Sequence, residues 1–250
     1  MWLIAPLRVR APLHRGIAEI WGFFILDSRR QPMRTAMLVD GGFFLKRYRY
    51  LYKTGSTDDA RTVAKNMHKG LLEHLNQKPR NHELYRILFY DCPPLQKRVQ
   101  NPISKKGFNY GASAEARFRL EFHEEIKRFR KVALRLGRLS DHAYWELQPP
   151  ITKSVLSGKL KIEDLSPADV RYSARQKGVD MKIGLDIASL SYKRLVEQII
   201  LISGDSDFVP AAKLARREGI DFVLDPMWNH INPDLHEHID GLNSTWPQRK

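Results

Sequence analysis

Three apolar runs in this chain each close on an aspartate: Thr35–Asp40 (TAMLVD), Tyr85–Asp91 (YRILFYD) and Gln198–Asp205 (QIILISGD). Runs that are continuously apolar, rather than alternating, belong to strands buried on both faces, and both faces are covered when helices lie between parallel strands. Gly41–Gly42 turns the chain after the first run, and Pro93–Pro94 stops the second. Helical spacing predicts helices at Phe43–Tyr52, Thr57–Asn76, Gly178–Lys193 and Phe208–Glu218, with a last strand at Ile220–Leu224. In Thr57–Asn76, Val63, Met67, Leu71, Leu72 and Leu75 share one side; in Gly178–Lys193, Ile183, Ile187 and Leu190 do. The alternation argues for an α/β fold around a parallel sheet. Between the second and third runs, Ser113–Leu136 predicts one long helix with Phe118, Phe122, Ile126, Phe129 and Val132 on one side. Trp145–Pro150 is expected to add an edge strand, with a short helix after Pro167.

The chain has 250 residues and 42% hydrophobic content, enough for one domain, or at most two small ones, with a real core. Its formal charge of +14 favours a polyanionic partner, because Lys and Arg gain free energy by releasing counterions from phosphates. More than half of that excess lies between Leu95 and Arg138, where twelve Lys/Arg meet four Glu; a solvated helix face is the plainer reading of such a run. A lone cysteine, Cys92, excludes an intramolecular disulfide, a Cys-based zinc ribbon and Cys-x-x-Cys redox chemistry, and suits a reducing cytoplasm. No stretch approaches the roughly 20 apolar residues of a membrane span: Ile17–Leu26 is interrupted by Glu19, so no membrane partner is expected. Residues 1–32 are expected to be a leader, disordered or upstream of a mis-assigned start, because Met33 opens straight into the first strand; residues 33–250 then form one domain with a basic helical insertion around 95–140.

In an open parallel sheet the carboxyl ends of the strands line the ligand crevice. Here those ends carry Asp40, Asp91, Asp205, Asp207 and Asp225. Carboxylates brought together repel unless a cation compensates, and a set without Cys or His suits Mg²⁺ or Mn²⁺. Singly, each acid has a structural reading. Asp40 can form the turn, Asp180 can cap its helix, Ser203, Asp205 or Ser206 can cap the next, and Asp91 can end its strand. Asp186, four residues after Lys182, is accounted for by a surface pair. His230, His236 and His238 read as exposed histidines before metal ligands. There is no G-x-x-x-x-G-K-[ST] loop, no G-x-G-x-x-G after a strand and no G-x-S-x-G, so triphosphate, dinucleotide and serine-hydrolase chemistry lack their usual scaffolds.

Val39-Asp40-Gly41-Gly42, Lys177-Gly178-Val179-Asp180 and Ser203-Gly204-Asp205-Ser206-Asp207-Phe208-Val209-Pro210, in that order, resemble the three signature segments of the NYN domain family, in its LabA-like bacterial branch, related to PIN-type nucleases. The resemblance spans roughly residues 34–242, and Gly42 stands where many members carry Asn. It implies a Rossmann-like (PIN-like) three-layer fold with a mainly parallel sheet, an acidic pocket binding Mg²⁺ (or Mn²⁺), and cleavage of RNA phosphodiester bonds. Asp40, Asp180, Asp205 and Asp207 match the family's metal-binding, catalytic acids. Asp40 and Asp205 are assigned to direct coordination, Asp180 and Asp207 to holding and deprotonating metal-bound water, and Ser203 and Ser206 to supporting hydrogen bonds. Arg175, Lys177, Lys182, Lys105 and Lys106 are candidates for gripping an RNA backbone, single-stranded by expectation. Phe43, Phe44 and Tyr48 could stack bases, although core packing is the plainer role for the two Phe. A binding module of the same fold with little or no catalysis is the alternative, and a homodimer is compatible with the long amphipathic helix without being demanded by it.

Overall fold

The computed structural model describes residues 32–76, 81–140 and 142–249; the leader expectation falls, but for residue 32, outside them. β1 (Met33–Asp40) leads into α1 (Gly41–Leu51) and α2 (Ala60–Glu73). β2 (His82–Asp91) precedes β3 (Arg98–Gln100), β4 (Gly107–Asn109), α3 (Ala114–Lys127), β5 (Val132–Leu136) and β6 (Arg138–Leu139). β7 (Tyr144–Leu147), α4 (Pro149–Leu156), β8 (Val170–Ser173) and β9 (Gln176–Lys177) lead to α5 (Val179–Tyr192). β10 (Gln198–Ile202), α6 (Val209–Arg217), β11 (Asp221–Asp225), α7 (Pro233–Glu237) and β12 (Gly241–Leu242) follow.

Six strands form one sheet in the order β12-β11-β10-β1-β2-β5, every pairing parallel. Numbered among themselves along the chain, they run 3-2-1-4-5-6 across the sheet, the doubly wound order whose direction reverses between the first and fourth strands. Here those neighbours are β1 and β10, paired from Thr35↔Gln198 to Val39↔Ile202.

Successive strand residues point to opposite faces, and both faces are apolar. Ala36 and Leu38 of β1, with Ile199 and Leu201 of β10, pack under Ile183, Ile187 and Ala212 of α5 and α6. Met37 and Val39, with Ile200 and Ile202, pack under Phe44, Val63, Met67 and Phe122 of α1, α2 and α3. Two-sided burial is why these strands read as unbroken apolar runs.

Three expectations change. Ser113–Leu136 is not one helix: α3 is capped by Ser113, which accepts from the Ala116 N–H at 3.1 Å, and stops at Lys127. Lys131 takes a left-handed conformation at φ 63°, and its ammonium donates to the Leu84 carbonyl. The chain then becomes β5, which pairs with β2 from Ile87↔Val132 to Asp91↔Leu136 and covers what would be an open strand edge. The expected edge strand is β7, joined to β8 outside the central sheet. The helix expected after Pro167 is absent among the described residues; α4 lies earlier, and the chain enters β8 instead.

Candidate active site at the carboxyl edge of the sheet

Asp40 ends β1 and caps α1, its Oδ1 accepting from the Phe43 N–H at 3.1 Å. Across the switch point, β10 ends at Ile202 and the chain turns through Ser203-Gly204-Asp205. Ser203 is fully buried and its Oγ accepts from the Asp205 N–H at 3.3 Å. Asp205 Oδ1 in turn accepts from the Asp207 N–H at 3.0 Å, so both exposed carboxylates sit on a loop pinned from below. Asp180 comes in from the first turn of α5. The glycines of the three segments have identifiable work. Gly178 begins α5 at φ 79°, a left-handed geometry that an L side chain resists. A Cβ on Gly41 would lie 2.6 Å from the Tyr90 carbonyl oxygen, and one on Gly204 2.9 Å from the Phe43 ring. The two acid-bearing turns can therefore close on their neighbours only without side chains there.

The acids feel one another. Burial is the main cause that pushes the Asp40 carboxyl up to about 6; the charges of Asp180 and Asp91 add to it, while the Phe43 and Gly42 N–H groups oppose it. Asp180 is raised by partial desolvation and then by the charges of Asp205 and Asp207. The structure thus brings Asp40, Asp180, Asp205 and Asp207 into one electrostatic neighbourhood. Among the described residues, no three His, Cys, Asp or Glu side chains stand close enough together to hold a metal ion as they are placed. The arrangement is an open, repulsive carboxylate cluster; its donors are hard oxygens, the kind Mg²⁺ and Mn²⁺ prefer.

Two of the strand-end acids have different work. Asp91 is wholly buried, and its oxygens accept from Arg119 at 2.6 Å, from His123 Nε2 at 2.8 Å and from the Cys92 N–H at 2.8 Å. Asp225 is equally buried and accepts from His74 Nε2, Trp246 Nε1, the Ser244 hydroxyl and the Met227 N–H, each at 2.8 Å. Saturated this way, both carboxylates brace loops, leaving little room to bind an ion. Nothing in the sequence marks them apart from Asp40, since their side-chain donors lie far along the chain. Asp186 is not held by the expected pair with Lys182: it accepts instead from the Tyr90 hydroxyl at 2.8 Å and from Arg135 at 3.2 Å.

Ser206 is half-buried in the single 3₁₀ turn after Asp205. Arg175, Lys177 and Lys182 are exposed on the approach to α5 and on its first turns; Arg175 donates to the Tyr144 hydroxyl at 3.2 Å. Lys105 and Lys106 are exposed at the tip of the β3–β4 hairpin. Phe44 and Tyr48 are core residues, with Tyr48 donating to Asp58 at 2.6 Å, so neither is open to a base. Phe43 is half-buried against Gly204. His230 and His236 are exposed. The Cys92 thiol is buried and pushed up by that burial, unsuited to act as a nucleophile.

A family model for the NYN domain matches residues 88–230, more than half of the chain. The match holds Asp180, Asp205 and Asp207 and starts inside β2, so Asp40 lies ahead of it. No curated protein matches the chain. Among solved structures it is similar to a protein of unknown function from Vibrio parahaemolyticus RIMD 2210633, at 16% identity and a TM-score of 0.45, over 87% of this chain and 97% of that one.

Proposed function

This chain belongs to the NYN domain family, of the PIN-like nuclease superfamily, and from that premise we propose that it is a metal-dependent ribonuclease of the LabA-like type, hydrolysing phosphodiester bonds of single-stranded RNA. The observation that carries the reading is the carboxylate cluster at the β1/β10 switch point, with the Asp40 carboxyl pushed up to about 6 by burial and by the charges of Asp180 and Asp91 against its two backbone donors. Natural chains keep such repulsion where a cation relieves it.

Asp40 and Asp205 are the residues to hold Mg²⁺ or Mn²⁺, with Asp180 and Asp207 beside them. When bound, the ion supplies Lewis-acid stabilisation of the phosphoryl oxygen and lowers the pKa of a water. Asp180 and Asp207, exposed on the first turn of α5 and the 3₁₀ turn after Asp205, would orient an attacking water and accept its proton. Asp40 is fixed by its bond to the Phe43 N–H, and Ser203 steadies Asp205 through the backbone. Arg175, Lys177 and Lys182 lie next to the acids along the chain and hold the RNA backbone, with Lys105 and Lys106 further out. A single buried thiol suits a reducing cytoplasm. Among the described residues no helix is long and apolar enough to cross a membrane.

The openness of the cluster favours a second reading, an RNA-binding module without turnover. One experiment separates the two: cleavage of labelled single-stranded RNA with Mg²⁺, with Mn²⁺ and with EDTA, beside Asp205→Asn. That variant keeps an oxygen to accept the Asp207 N–H, so the loop survives. The nuclease reading expects cleavage lost on chelation and reduced about 10²–10⁴-fold in the variant, with RNA binding retained. Equal cleavage by both proteins, or salt-sensitive binding with no cleavage by either, refutes it.

A further inference from the structure

Beside the acids, where the chain leaves β2, lies a cavity of about 380 Å³ whose wall includes Cys92, Phe108, Tyr110, Ser113, Arg119 and Tyr172. Its aromatic rings form a connected set. Phe108 meets Tyr110 edge to face at 4.7 Å, Tyr110 lies 5.8 Å from Tyr172, and Tyr172 meets its cross-strand partner Trp145 at 5.4 Å. Tyr172 is held by the β7–β8 pairing and Phe108 by the β3–β4 pairing, so two small hairpins hold this wall apart from the main core. Phe108 is 49% exposed, so part of its ring stays open to solvent.

Charge is distributed unevenly around the cavity. Inside, the Arg119 guanidinium pairs with the buried Asp91 and, at 3.5 Å, with Glu115, a wall residue whose carboxylate is also held by Arg49 at 2.6 Å. Lys97, Arg98, Lys105 and Lys106 are all exposed on or beside the β3–β4 hairpin that carries Phe108. An aromatic interior whose charges are paired, on a hairpin that carries four exposed cations, complements a nucleobase joined to a phosphate backbone. The cavity also borders the candidate active site. Cys92 in its wall feels the charge of Asp180, and Gln176, another wall residue, lies four residues before Asp180.

We propose that this cavity is a base subsite. It takes one unstacked nucleobase of a single-stranded RNA against Phe108, Tyr110 and Tyr172, while the hairpin lysines hold the flanking phosphates. The subsite rests on the nuclease reading for its ligand class and adds a reason for single-strand preference: a base can enter only when it is out of a duplex.

The test is a two-by-two binding measurement in EDTA. Phe108→Ala and the intact protein are titrated into a short labelled single-stranded RNA and into the all-abasic ribose-phosphate chain of the same length. Because Phe108 is half-exposed, its removal leaves the core untouched, and Phe108→Tyr serves as the conservative control. The base subsite expects Phe108→Ala to weaken the base-bearing RNA roughly 5- to 150-fold, with the abasic chain unaffected and Phe108→Tyr near wild type. Equal weakening of both chains, weakening of neither, or failure of the intact protein to prefer bases overturns it. Cleavage of the same RNA with Mg²⁺ keeps the two readings apart. RNA bound through its bases and left uncut refutes the nuclease and keeps the subsite, whereas RNA cut regardless of Phe108 does the reverse.

Discussion

Replacing Asp40 by Asn should stabilise this protein while disabling it. The folded state raises this carboxyl from 3.8 to about 6, so it holds its proton more tightly than the unfolded chain does. The sign follows: the neutral acid is tolerated in full below about 3.8, stability is lost as pH rises towards 6, and the whole penalty is present above that. At about 1.4 kcal/mol per pH unit the ionised group costs about 3 kcal/mol. Asparagine carries no charge and keeps an oxygen for the Phe43 N–H, so the helix cap survives. In urea or thermal unfolding at pH 7.5 without divalent ions, Asp40→Asn should therefore gain up to about 3 kcal/mol, or roughly 6–12 °C in Tm for a chain of this size. Near pH 4 the gain should vanish. Saturating Mg²⁺ should narrow the difference at pH 7.5, since an ion held at about 100 times its Kd stabilises the wild type by about 2.7 kcal/mol. An Asn variant no more stable than wild type at pH 7.5, or one equally offset at pH 4 and 7.5, would refute the reasoning, because the Asp40 carboxylate would then not be an uncompensated charge.

Asp225→Ala should be severe, costing about 3–5 kcal/mol in urea unfolding, because four donors lose one buried acceptor at once; a shift in midpoint under about 1 kcal/mol would mean the contacts at His74 and Trp246 are dispensable. Gly178→Ala should cost about 1–2 kcal/mol for its left-handed backbone and should lower cleavage more than stability, since Asp180 is two residues away; unchanged turnover with the expected loss of stability would detach that glycine from the site.

The sheet was legible where its chemistry is local. β1, β2, β10 and β11 announce themselves because burial on both faces leaves no alternation to decode, and the helices between them keep an apolar stripe. β5 was hidden because Val132 and Leu136 continue the spacing of the Phe118–Phe129 stripe, and the break comes from a lysine in a glycine-like conformation. β12, two residues long, offers no period at all. The site divides the same way. Asp40, Asp205 and Asp207 stand at strand ends with turn chemistry around them. Asp91 and Asp225 look identical in sequence, and only Arg119, His123, His74 and Trp246, brought in by the fold, set them apart. The aromatic cavity had no sequence signature because its rings come from two separate hairpins.

The pairing of β1 with β10 joins residues 163 positions apart, as in the Thr35–Gln198 contact. On a ribosome adding roughly 5–20 residues per second, Asp40 emerges about 8–33 seconds before its partners across the switch point. Throughout that interval the nascent chain carries its acids as separate, unstrained carboxylates, with no cluster to grip an ion beside the messenger and ribosomal RNA that surround it. The acids are brought together only when β10 joins β1, so on the nuclease reading synthesis itself delays the hazard until most of the sheet exists to contain it.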